Sequence, residues 1–136
     1  MLSFASLKWL AILAGLVAHM ILGAIWFGVF AKPWARLAHP GKTPEEIQAG
    51  PKWIYGIAAG GGLVTAIVLG ALLQSLAVTT IADALMVTVV VWVGFVLVKY
   101  ATTYAFAWKP WTLLWLDAGY PLVSMLLMAT IYAAWP

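Results

Sequence analysis

Apolar residues fill this chain in four long runs, at about 4–30, 53–76, 80–108 and 111–135, and polar residues crowd into the breaks between them. Each run reaches the roughly 20 residues that a helix needs to cross a bilayer. The runs are continuous rather than alternating, which excludes a membrane β-barrel. The pattern predicts an all-α integral membrane protein, an antiparallel bundle of four transmembrane helices in one domain over residues 1–136.

The breaks carry their own signals. Lys32-Pro33 predicts the end of the first helix, because a proline pushes the residue before it out of the helical region. Within the loop at 31–52, Thr43-Pro44-Glu45-Glu46 combines a capping box with proline at the first helical position. It predicts a short surface helix, closed by Gly50-Pro51. Thr80 or Asp83 can cap the third span, and Lys109-Pro110 makes a tight turn before the fourth. Gly119 and Pro121 predict a bend near the start of that last helix.

Small residues mark faces for close helix packing. Ala11, Gly15, His19 and Gly23 recur every four residues and share one face of the first helix. Gly56 and Gly60 form a small pair on the second helix, and Gly62, Ala66 and Gly70 form another. These stripes predict that the first helix packs on the second. Trp92-Val93-Gly94-Phe95 reads as a packing notch in the third.

Composition narrows the function classes. The chain is 65% apolar and only 8% charged, against about one quarter charged in soluble domains. It has no cysteine, so disulfide and thiolate chemistry are excluded. The first run is too long for a signal peptide core and is read as a retained helix. The basic residues form no patch interleaved with exposed aromatics, which speaks against nucleic acid. Tryptophans 9, 26, 34, 53, 108, 111 and 135 fall near span ends, as an interfacial belt would. Lys32, Arg36, Lys42, Lys52 and Lys109 fall in the first and third connections, with only Lys8 near the other side. The positive-inside rule then places the long 31–52 loop in the cytoplasm and both termini outside, in the plasma membrane (the inner membrane of a bacterium).

Three ionisable residues inside the spans are candidate ligand or proton-coupling groups: His19, Lys99 and Asp117. Counted from the third turn, Lys99 and Asp117 lie at similar depth, about 15 and 12 Å away at 1.5 Å per residue. They can pair structurally, Lys99 can snorkel to the interface, or the two can serve a proton- or ion-linked site. His19, near the membrane midplane, needs a partner for its N–H. Thr65, Ser124 and a freed backbone carbonyl are candidates. A packed histidine, a porphyrin-type pigment ligand and a proton-coupling group all fit. No hydrolase, kinase or zinc motif occurs, so no catalytic residue, no resident cofactor and no metal site is expected.

Gly23-Ala24-Ile25-Trp26-Phe27-Gly28-Val29-Phe30-Ala31-Lys32-Pro33-Trp34 resembles a segment of the small bacterial membrane proteins catalogued as domain of unknown function 1761. Lys8-Trp9-Leu10-Ala11, Trp92-Val93-Gly94-Phe95 and, more loosely, Leu116-Asp117-Ala118-Gly119-Tyr120 resemble it too. The resemblance implies a four-helix membrane fold and supplies no activity. The functional expectation is a non-enzymatic accessory subunit or homo-oligomer, in contact with lipid and with other membrane subunits or itself. A small proton- or ion-coupled transporter or channel is the alternative, and a pigment- or lipid-binding module using His19 is a third.

Overall fold

The computed structural model describes all 136 residues. Helix α1 spans Trp9–Val29, α2 Ala31–Ala38, α3 Pro44–Gln48 and α4 Trp53–Ser75. Helix α5 (Ile81–Val91) passes through a π-helical turn, Trp92–Leu97, into α6 (Val98–Phe106), and α7 covers Trp111–Ala134. The four membrane-length helices are α1, α4, the continuous Ile81–Phe106 unit and α7. The protein is therefore a multi-pass membrane protein with a four-helix bundle fold.

Helix α7 is the hub. It packs on α1, α4 and α5, and both α1–α7 and α5–α7 are more extensive than α1–α4. The first helix does pack on the second, with Gly62 lying against His19, but α7 takes the larger share of it. The cause is side-chain size: α7 carries the bulky partners that small residues need. Met128 fills the space over Gly15, Tyr120 that over Gly23, and Tyr132 that over Gly70. Ala11 and Ala66 are buried in the same core. Gly56 and Gly60 are instead exposed, with no heavy atom within 4 Å of where a Cβ would stand.

The first helix starts at Trp9 rather than near Phe4. The preceding segment is held by specific bonds. Ser6 is left-handed at φ 61°, Ala5 C=O accepts from Gln74 Nε2 at 2.7 Å, and Ser3 N–H donates to Ser75 Oγ at 2.9 Å. The first loop also holds a helix that the Lys32-Pro33 stop hid. Pro33 sits in the first turn of α2, where its missing N–H costs nothing. The capped surface helix is α3: Thr43 accepts from Glu46 N–H at 3.2 Å, and Thr43 N–H donates to Glu46 at 3.0 Å. Thr80 caps α5 by accepting from Asp83 N–H at 3.1 Å.

Two helix ends close with non-glycine residues in the left-handed region, Ala77 at φ 52° and Trp108 at φ 55°. Val78 N–H bonds Leu73 C=O and Lys109 N–H bonds Tyr104 C=O, each at 3.0 Å. Both are Schellman closures, which normally recruit glycine.

Candidate functional site

Three polar residues of α7, Asp117, Tyr120 and Ser124, follow one another at spacings of three and four, so they form a stripe on one helical face. Each meets a different set of neighbours.

Ser124 is buried, and its Oγ lies 2.6 Å from His19 Nδ1. Tyr120 donates its hydroxyl to His19 C=O at 3.1 Å, and that hydroxyl also lies 3.0 Å from Nδ1 and 3.2 Å from Nε2. His19 is the middle residue of α1, about 15 Å from either end. Its other face lies on Gly62, where a Cβ would stand 2.7 Å from Nε2. Gly62 is thus the cradle for an imidazole rather than a generic contact point. Both ring nitrogens face hydroxyls, so a pigment metal would have to displace Tyr120. Of the partners expected for His19, Ser124 and a backbone carbonyl near the glycines, that of Ala58, are present; Tyr120 was not foreseen. Ser124 reaches across to His19 rather than bonding its own backbone, unlike Thr130, whose hydroxyl donates to Leu126 C=O at 2.8 Å.

Asp117 forms a second cluster, nearer the long loop. Trp34 Nε1–H of α2 donates to Oδ1 at 2.9 Å, and the buried Tyr104 hydroxyl donates to Oδ2. Lys99 takes no part: it is exposed and forms no ion pair with Asp117. Of the alternatives for Lys99, the pairing with Asp117 is not formed, and rotation about the helix axis is the reason. Tyr104 lies five residues beyond Lys99, about 140° around the helix, so when one faces α7 the other faces outward. The two clusters do not merge: His19 and Asp117 share no hydrogen-bond partner.

Two indoles flank this stripe. Trp26 donates to Leu116 C=O at 3.1 Å and Trp92 to Ala118 C=O at 2.9 Å. They hold α7 just before Pro121, whose absent N–H leaves Asp117 C=O without its usual helical donor. Trp26 and Trp34 are thus more than interfacial anchors. Trp92 belongs to the π turn, and Gly94 beside it is exposed with nothing packed on it. The expected notch is a widened helical turn that aims Trp92 inward.

Beside the stripe lies a feature that no sequence pattern announced, an apolar groove of about 560 Å³. Gly23, Phe27 and Gly28 of α1 form one wall, Tyr55 and Ala58 of α4 the other, and Tyr120 lies along it. Ala31, Trp34 and Ala35 of α2 with Ile47 and Gln48 of α3 enclose the loop-side end. Gly28 has open space where a side chain would be. The groove starts at mid-helix, at Met20, and runs about 16 Å along the chain's rise to Ala31.

The sequence model of the family described as "Protein of unknown function (DUF1761)" matches residues 10–133. The chain belongs to that family. It matches no curated protein and no solved structure.

Proposed function

Starting from a family with no assigned activity, we propose that this membrane protein works by binding rather than by catalysis, and that it holds an amphipathic, lipid-like molecule in the groove between α1 and α4. The observation that carries this reading is the groove itself. Its volume lies within the range of small-molecule sites, about 300–1,000 Å³, and its apolar walls with few polar groups match their usual lining. A molecule dissolved in the bilayer reaches such a site without crossing water. The orientation that goes with this reading puts the 31–52 loop in the cytoplasm and both termini outside, by the positive-inside rule.

Native mass spectrometry of protein extracted gently from membranes tests the reading. Gly28→Leu with Ala24→Phe fills the groove from exposed positions on α1. A retained small molecule that disappears in this variant is the expected result. Retention unchanged by the filled groove would sink it.

A second reading, assembly with itself or with other membrane subunits, is supported by Gly56, Gly60 and Gly61. All three sit on the outer side of α4 with open space above them. Small residues there let a second helix approach closely. Gly60→Leu should then reduce crosslinked oligomers in membranes, and unaltered crosslinking would count against this role.

A further inference from the structure

We infer that the groove selects an anionic phospholipid, its acyl chain lying between α1 and α4 and its phosphate at a basic rim formed by Lys32, Arg36 and Lys52. This rests on the groove-binding reading above and adds the headgroup to it.

On α2, Ala31 and Ala35 line the groove. They are one helical turn apart and so share a face. Trp34 lines the groove too, so the groove-facing arc of α2 runs from Trp34 to Ala35, and Lys32 stands about 60° and Arg36 about 100° beyond its Ala35 edge. Both are exposed. On the opposite wall, Tyr55 lines the groove, and Lys52, three residues before it, caps the same face of α4. None of the three cations lines the groove itself; by position along the helices they flank its loop-side mouth, two on α2 and one at the start of α4.

Carboxylates offset them only in part, one against three. Glu46 is turned back onto Thr43 N–H in the capping box. Glu45 is the single acidic side chain left on α3, three residues before the groove residue Gln48. None of the three cations forms an ion pair or a hydrogen bond with any side chain. The helical rise also fits: the apolar part starts at the middle of α1 and ends where the charges begin, which matches a chain tucked beneath a charged head. Basic residues at a membrane surface attract anionic lipid, each adding a factor of about five.

Protein released from vesicles of phosphatidylcholine mixed with phosphatidylglycerol gives the test, with retained lipids read by native mass spectrometry. Phosphatidylglycerol should be retained in preference. Lys32→Gln, Arg36→Gln and Lys52→Gln together should lower that preference by at least on the order of tenfold. All three positions are exposed, so the fold is spared. Lys99→Gln removes one exposed charge away from the groove and should leave the preference in place. If both lipids are retained equally and Gly28→Leu releases both, the headgroup inference falls while groove binding stands. If Gly28→Leu releases neither, both fall. A loss with Lys99→Gln as large as with Lys32→Gln alone would overturn the local rim in favour of general surface charge.

Discussion

The two ends of α7 hold two charged groups in opposite ways. At the loop-side end Asp117, inside the span, is satisfied by neutral side-chain donors, Trp34 and Tyr104. At the far end Lys8 reaches backbone carbonyls: its Nζ donates to Tyr132 C=O at 3.3 Å and Trp135 C=O at 2.7 Å. A cation at a helix C-terminus is favoured by the helix dipole and by the last, unpaired carbonyls. Asp117 lies beyond the first turn of α7, where the dipole at that end has faded, so it depends on partners brought by other helices. Around Lys8 the network continues through Tyr132, which donates to Gln74 Oε1 at 2.9 Å, and through Gln74 to Ala5. One end is a knot of side chains from α2 and α6; the other is a clasp on a helix terminus by the chain's first residues. The lesson is that a charge in a membrane protein is placed by its neighbours' donors where it sits mid-span, and by the backbone where it sits at an end.

The largest expected effect comes from breaking the knot. Asp117→Leu leaves the buried Tyr104 hydroxyl without an acceptor and should destabilise by about 2–4 kcal/mol in a denaturation titration in mixed micelles. Adding Tyr104→Phe should recover part of it, a coupling of about 1–3 kcal/mol. Lys99→Met should show no coupling to Asp117→Leu beyond about 0.5 kcal/mol; a larger value would restore the pairing that depth alone suggests. Next comes Gly62→Ala, which drives a Cβ into the His19 ring and should cost about 1–3 kcal/mol while leaving both ends of α7 ordered. Lys8→Met should cost about 1 kcal/mol. Its signature is faster hydrogen exchange in the last turn of α7, with none near Asp117; a uniform increase would erase the distinction between clasp and knot. The smallest effect has the opposite sign. Ala77→Gly relieves a left-handed alanine at φ 52° and should stabilise by about 0.5–1 kcal/mol.

Most of the fold was legible because span length and apolarity decide it before any contact is made. The capping box of α3 was legible for a similar reason: its bonds lie within four residues. Contacts between helices were harder. Gly15, Gly62 and Gly56 look alike in sequence, and only the presence or absence of Met128 or His19 opposite separates a packed glycine from an exposed one. For Lys99 and Asp117, counting residues from the turn gives only a distance along each axis; which side of α6 faces α7 is decided by packing, and there Tyr104 rather than Lys99 meets the acid. Helix α2 was masked by a proline that can end one helix or begin another. The groove needed five helices to exist at once, and no local pattern encodes that.

The π turn at Trp92–Leu97 has a consequence for chain length. A π turn is an α-helix carrying a surplus residue. Removing the exposed, uncontacted Gly94 would let this stretch relax to ordinary α periodicity, with Thr88 before it and Tyr104 after it keeping their bearings toward α7. The same deletion one turn earlier or later would swing everything beyond it by about 100° and aim Tyr104 away from Asp117. The third span thus has one place where its residue count is negotiable, sited between the half that fills the core and the half that holds the acid.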